Sequence, residues 1–299
     1  MIDRRALLTL AAAAATLATP AAAEETAPGR IETLPRFPAA PRIRIWLPPG
    51  YDASGGGYNS LYMLDGQYAF ASDSAGTNFA ADTRVARLIA DRSIAPTLIV
   101  AIDNLEDDRF LQYMPQSIYD RSDAPVRAII DREVRRVGKT RLVSGEFIGF
   151  LDTQLKPFVD SHYRTSADRL NTAIFGASMA GVMSGAILVE AQRSFGRGAC
   201  MSPNWAIYDE RMIDFPQLPP LWARYFAQLG APAGRRLWLD HGTRMMDAGM
   251  APHQTAIADS LTASGWQRGC NLQTRVYQAG HAFAETAAQM DEVLAWLLA

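Results

Sequence analysis

Phe175-Gly176-Ala177-Ser178-Met179-Ala180-Gly181 is the stretch on which the reading of this chain turns. Thr172-Ala173-Ile174-Phe175 forms a short apolar run of strand character, and a helical pattern follows from Met179 to Ala191. A strand that passes through small residues and one serine straight into a helix is the context of a nucleophile elbow. The turn is so tight that side chains beside the serine collide with neighbouring backbone unless they are small. Gly176 and Gly181 meet that demand, while Ala180 stands where the usual G-x-S-x-G pattern has glycine. Ser178 is therefore the candidate nucleophile, set against a plainer reading in which Gly, Ala and Ser only permit close packing.

Outward from the elbow the chain alternates strand and helix. Strands are expected at 42–47, 60–64, 97–102, 171–175, 198–201, 236–240 and 272–277, and helices at 83–90, 150–159, 179–191, 255–264 and 285–298. Runs such as Leu98-Ile99-Val100-Ala101-Ile102 lack polar alternation, as expected of parallel strands covered on both faces. The architecture implied is α/β, a three-layer sandwich around a mostly parallel sheet. Two stretches break the rhythm: 105–146, rich in Arg and Asp, and 203–235, with Trp205, Tyr208, Phe215, Trp222, Tyr225 and Phe226. Both follow the carboxyl end of a strand, the edge where open α/β sheets bind ligands, so they are candidate walls or a lid. Against this stands simple packing of a surface helix by the aromatics.

The 299 residues are 48% hydrophobic and 20% charged, with a net charge of −2. These are globular proportions, and without a basic field nucleic acid is excluded as the main partner. Asp3-Arg4-Arg5 followed by the apolar run from Ala6 to Ala18 and then Ala21-Ala22-Ala23 reads as a signal peptide, residues 1–23, of twin-arginine type, set against an ordinary Sec signal in which the arginine pair is incidental. Its removal leaves no run able to span a bilayer, a 24–40 extended segment and one domain over 41–299, in a periplasmic or secreted protein. Cys200 and Cys270 are too few for a disulfide framework and read as two separate buried thiols. The four histidines, His162, His241, His253 and His281, show no metal-ligand spacing, so neither metal nor organic cofactor is expected.

Several segments resemble the bacterial putative-esterase family of α/β-hydrolases, which includes siderophore esterases, feruloyl esterases and esterase D-like enzymes. They are Leu61-Tyr62-Met63-Leu64-Asp65-Gly66-Gln67, Val100-Ala101-Ile102-Asp103-Asn104 with Arg109 and Tyr113 following, the run from Leu155 to Thr165, the elbow, and Asp240-His241-Gly242-Thr243. The resemblance implies the α/β-hydrolase fold and hydrolysis of a small-molecule ester through an acyl-enzyme. Siderophore-lactone esterase and acyltransferase stand as alternatives, and a non-catalytic binding protein using the same crevice is the alternative of another class.

A serine hydroxyl needs a base, and in this fold the partners follow in the order Ser, Asp or Glu, His. His162 precedes Ser178 and is excluded. His281 follows the last strand through Ala279-Gly280, where the family has its histidine; His241 and His253 are read as structural or pocket-lining. The acid should come from the loop after the 236–240 strand. Many relatives carry it about two residues after the Gly-Thr pair, where this chain has Met245, so Asp247 is chosen and Asp240 is second, with a dyad as a third possibility. The amide of Met179 is the expected oxyanion donor from the elbow, joined by that of Gln67 through the resemblance. Arg109 and Trp205 are candidate substrate contacts, Arg109 either clamping its insertion against Asp107 or Asp108 or meeting a polar or anionic part of the substrate. The aromatics of 203–235 suggest a crevice for uncharged, partly aromatic acyl groups.

Overall fold

The computed structural model describes residues 29–34, 37, 40–51, 57–73, 77–207 and 215–299. The signal-peptide reading of 1–23 and Tyr208 lie outside the described residues. Among the described residues eight strands form one sheet: β1 Arg30–Thr33, β2 Ile43–Leu47, β3 Asn59–Leu64, β4 Thr97–Ile102, β5 Thr172–Ala177, β6 Arg197–Met201, β7 Arg236–Gly242 and β8 Leu272–Tyr277. Their order is β1-β2-β4-β3-β5-β6-β7-β8. Only the β1–β2 and β2–β4 pairings are antiparallel; from β4 to β8 every neighbour is parallel. β5, which leads into Ser178, therefore lies inside the sheet between β3 and β6.

The apolar runs are buried for the reason their sequence suggests. On β3, Tyr62 and Leu64 enter the core of one face while Leu61 and Met63 enter that of the other. With both faces covered, period-2 alternation puts apolar residues on each side. Helix α1 Ala81–Ala90 covers one face, together with α10 Phe283–Ala287 and α11 Met290–Leu298 at the end of the chain. The other face carries α2 Arg109–Tyr113, α3 Gln116–Arg121, α4 Ala124–Arg136, α5 Ser144–Phe150, α6 Lys156–His162, α7 Met179–Glu190, α8 Leu218–Phe226 and α9 Ala251–Ala263. A π-helical turn, Leu151–Leu155, joins α5 to α6.

The helix pattern expected from 285 to 298 is split into α10 and α11, and that of 150–159 lies within the α5–α6 run. Strand β1 falls in the segment expected to be merely extended, where its backbone pairs with β2.

The two irregular stretches turn out to be helical layers. Insertion 105–146 supplies α2 to α4 and the start of α5, and the described part of 203–235 supplies α8. Both pack on α7, which is buried from Met179 to Val189. A Cβ on Gly185 of α7 would lie 2.6 Å from the Phe226 ring. The aromatics accordingly fill the core: Trp205 lies 4.9 Å from Trp222 and 5.7 Å from Phe226 between ring centroids. Cys200 is buried as expected, whereas Cys270, in the turn before edge strand β8, is exposed; both are free thiols. Among the described residues no helix is long and apolar enough to cross a membrane.

His253 lies fully buried in α9. Burial lowers its pKa from 6.5 to about 4, since the charged ring loses its hydration. A folded-state value below the unfolded one means that the unfolded chain binds more protons between those limits. Stability from this group is therefore complete above about pH 6.5 and is lost as pH falls towards about 4. His253→Leu should flatten the fall in Tm across that window, as measured by thermal melts at stepped pH; an unchanged slope would remove His253 from the account.

Candidate active site

Ser178 is a one-residue joint between β5 and α7. Its φ of 58° and ψ of −127° lie outside the ordinary regions for a residue with a side chain, a strain of about 1–3 kcal/mol. Backbone bonds hold it there. The Ser178 amide donates to the Met201 carbonyl at the end of β6 (3.0 Å), and the Ser178 carbonyl accepts from Val182 (3.2 Å) and Asn204 (3.3 Å). A Cβ on Gly176 would lie 2.2 Å from the Ala180 carbonyl oxygen, and one on Gly181 3.0 Å from that of Met201. The crowding thus falls on those two glycines, and Ala180, the departure from the usual pattern, is accommodated in the core.

Ser178 Oγ lies 2.7 Å from His281 Nε2, and His281 Nδ1 lies 2.6 Å from Asp247 Oδ1. His281 comes from the loop between β8 and α10, and Asp247 from the short 3-10 helix, Met245–Met250, after β7. Gly242 makes the approach possible: a Cβ there would lie 2.1 Å from the Ala279 carbonyl oxygen and 3.1 Å from Asp247 Oδ2. The second Asp247 oxygen accepts from the Gly242 amide (3.0 Å) and from the Ser202 hydroxyl. Burial works to raise the pKa of Asp247, but these bonds, with those from His281, hold it below the ordinary carboxylate value.

Asp240 is engaged elsewhere. Fully buried, it accepts from Trp238 Nε1 and from the Ser202 amide, each at 2.6 Å. Burial pushes its pKa up to about 7, despite those two bonds. The structure therefore brings Ser178, His281 and Asp247 together, while Asp240 is bonded to Trp238 and Ser202 instead. His241 bonds the Gly242 carbonyl (2.8 Å), and His162 stacks on Phe158 in α6.

The turn after β3 forms the other side of the site. Met179 and Gln67 each lie in the first turn of a helical segment, where amides are not consumed by the helix's own ladder. The 65–67 backbone is held from several directions. The Asp65 carboxylate accepts from Arg109 Nη2 (2.6 Å), Arg109 Nε (2.9 Å) and Asn104 Nδ2 (2.7 Å), and the Asp65 amide donates to the Tyr113 hydroxyl (3.1 Å). Gln67 Oε1 accepts from the Asn104 amide (3.1 Å). Gly66 is pressed so close to β4 that a Cβ would lie 2.4 Å from the Ile102 nitrogen.

Its carbonyl accepts from Arg44 Nη2 (2.6 Å), a buried guanidinium held by Asp73 at 2.6 and 3.0 Å. The expectation that Arg109 pairs with Asp107 or Asp108 is thereby corrected. Asp65 has two oxygens facing the guanidinium fork, whereas Asp108 pairs with Lys139 (2.9 Å).

A cavity of about 360 Å³ opens above Ser178 and His281, with Asp65, Asn104 and Arg109 on one side and Tyr68, Phe79 and Phe283 on another. Phe283 lies 4.6 Å from Phe79 and 5.8 Å from Tyr68 between ring centroids, forming a continuous aromatic wall. Trp205 is corrected as a substrate contact: it is fully buried and lines none of this cavity. The aromatic residues that do line it, Tyr68, Phe79 and Phe283, come from outside the 203–235 stretch. Sequence reasoning also passed over Ser202, Arg44 and Asp73; an arginine inside the apolar run Ile43-Arg44-Ile45-Trp46 was the available sign of a buried charge. Among the described residues no group of three or more His, Cys, Asp or Glu is placed to hold a metal ion.

A family model described as "Putative esterase" matches residues 35–297. The chain belongs to this esterase family. As an esterase it is an ester hydrolase acting on small-molecule esters. Solved structures share the fold at low identity. A siderophore hydrolase, EstA, from Aspergillus nidulans superposes with a TM-score of 0.62 at 20% identity, over 94% of this chain and 98% of that one. An IroE-like serine hydrolase from Shewanella oneidensis gives 0.61 at 17%, over 90% and 80%. A ferulic acid esterase from Anaeromyces mucronatus gives 0.58 at 17%, over 90% of each chain.

The two carboxylates of the esterase should separate by function. Asp247→Asn is expected to lower kcat about 10³- to 10⁴-fold at nearly unchanged Tm, because the amide cannot hold the imidazole in the required tautomer. Asp240→Asn removes one of two buried acceptors and should cost about 1–3 kcal/mol of stability, with a loss of kcat of about tenfold at most, far below that of Asp247→Asn. Steady-state kinetics and thermal melts on both variants check this, and the reverse pattern would move the acid to Asp240.

Proposed function

We propose that this esterase is a serine carboxylic-ester hydrolase working through an acyl-enzyme on Ser178. The observation that carries the reading is the hydrogen-bonded series from Ser178 Oγ through His281 to buried Asp247. In the first half-reaction Ser178 Oγ attacks the ester carbonyl carbon as its proton passes to His281 Nε2. Asp247 stabilises the resulting imidazolium and keeps Nδ1 as the donor. The carbonyl oxygen becomes an oxyanion between the Met179 and Gln67 amides. Collapse breaks the bond to the alcohol oxygen, which leaves with the proton from His281. Water then repeats the sequence on the acyl-enzyme, releasing the carboxylic acid and restoring Ser178.

The cavity supports uncharged, aromatic or partly apolar substrates. Its aromatic wall rewards apolar burial, and Arg109 is committed to Asp65 rather than to an incoming anion. Export before action, to the periplasm or medium, rests on the signal-like sequence of residues 1–23.

Ser178→Ala should abolish labelling by a fluorophosphonate probe and lower ester turnover by about 10⁵-fold or more, with Tm retained. Near-wild-type turnover from a clean preparation would overturn the mechanism. Arg109→Ala tests the clamp: it should reduce kcat/KM by a similar factor on neutral p-nitrophenyl esters and on carboxylate-bearing analogues, with a lower Tm. A loss confined to the anionic set would instead make Arg109 a substrate-recognition residue.

A further inference from the structure

Ser202 follows the last residue of β6 and is nearly inaccessible to solvent, at 4% exposure. Its backbone has a φ of 41°, in the left-handed region that residues with a side chain seldom occupy. The conformation is held by its amide, which donates to Asp240 Oδ1 at 2.6 Å; Asp240 is fixed in turn by Trp238 Nε1. This arrangement directs the Ser202 hydroxyl between two members of the Ser178–His281–Asp247 series. Oγ bonds Asp247 Oδ2 and lies 3.1 Å from His281 Nδ1.

A hydroxyl has one proton and two lone pairs. An ionised Asp247 can only accept, so the Ser202 proton goes to Asp247 Oδ2, leaving an oxygen lone pair facing the Nδ1–H of His281. We infer that Ser202 is a positioning residue of the esterase reaction, locking the Asp247 carboxylate with Oδ1 towards His281 and giving the imidazolium a second acceptor. The inference rests on the proposed roles of Ser178, His281 and Asp247. It also gives buried Asp240 a purpose: from one strand over, it sets the backbone that aims the hydroxyl.

The chemistry fits the site. Asp247 Oδ1 alone meets Nδ1, and rotation of the carboxylate would break that contact. Gly242 N and Ser202 Oγ both hold Oδ2 and so oppose the rotation. Since charge appears on His281 only as Ser178 gives up its proton, the extra acceptor favours the transition state more than the resting enzyme. Its loss should therefore appear in kcat with KM little changed.

Two variants separate the hydroxyl from the strained backbone. Ser202→Ala deletes the hydroxyl, and Ser202→Gly deletes it while making the left-handed φ easy to adopt. Both should lose about tenfold or more in kcat at near-constant KM, the rate equivalent of one lost hydrogen bond. Ser202→Gly should keep or raise Tm. In an Asp247→Asn background the same substitutions should cost much less, because the carboxylate they orient is gone. Full kcat in Ser202→Gly, or an equal loss in both backgrounds, would overturn the inference. Ser178→Ala is assayed beside them: its inactivity with Ser202→Gly fully active defeats only the role of Ser202, while activity in Ser178→Ala defeats the underlying reading.

Discussion

The left-handed backbone of Ser178 is the constraint to which the rest of the molecule answers. A single residue must turn the chain from the carboxyl end of β5 into α7, and it does so only because nothing at Gly176 obstructs the Ala180 carbonyl. The joint also needs a partner strand to hold it, and the end of β6 supplies one through Met201. The helix that starts there is consequently pinned against the sheet and buried along most of its length. That burial explains why the 105–146 and 203–235 insertions exist as packed helices: α7 has an apolar outer face that α2 and α8 must cover. Strain at the serine, a small-residue helix and two covering layers are one physical problem with one solution.

Around that joint the site is assembled in two halves by different strands. On one side, the ends of β6, β7 and β8 deliver Ser202, Asp247 and His281. On the other, the ends of β3 and β4 deliver the 65–67 turn and Asn104. Parallel strands bring all these ends to a common edge, so residues far apart in the chain need only short loops to meet. His281 lies 103 residues from Ser178 in sequence yet 2.7 Å away in space. Each half is cross-braced by buried bonds, which suits a site that must be in place before charge develops.

What could be read in advance follows from this division. The parallel core was legible because strands such as β4, buried on both faces, have no choice but to be apolar. That Ser178 and His281 would meet at one sheet edge was legible because each follows a strand through small residues. The helices of 105–146 were not: α4 is rich in Arg, and only three of its residues, Val126, Ile130 and Val134, are buried. Strand β1 escaped because its four residues are mostly exposed and are defined by pairing with β2 rather than by pattern. Trp205 misled because an aromatic cluster near a strand end looks the same in sequence whether it lines a cavity or fills the core. The partner of Arg109 was missed for a related reason: Asp65 is 44 residues away, and local carboxylates are always the easier guess.

The Arg109–Asp65 pair also bears on the electrostatics of the proposed reaction. Asp65 stands in the turn that supplies the Gln67 amide, and it lines the same cavity as Ser178. Left uncompensated, that charge would oppose the oxyanion expected to form there, and a cavity partly walled by aromatic rings would screen it poorly. Replacing the aspartate with a neutral residue would remove the repulsion, but it would also release Asn104 and Arg109, which hold the turn from the side of insertion 105–146. Pairing the carboxylate with a bidentate guanidinium solves both difficulties: the turn stays braced, and the local field seen by a developing negative charge is close to neutral. The same logic governs Asp247, whose charge is wanted beside His281 and is kept there by donors on both of its oxygens. Asp240, one strand away, is pushed up to about 7 by its burial, against the two N–H donors that hold its oxygens. The site thus gives each carboxylate a different environment: Asp65 is paired with a guanidinium, Asp247 is held ionised by donors on both oxygens, and Asp240 is buried against two N–H donors.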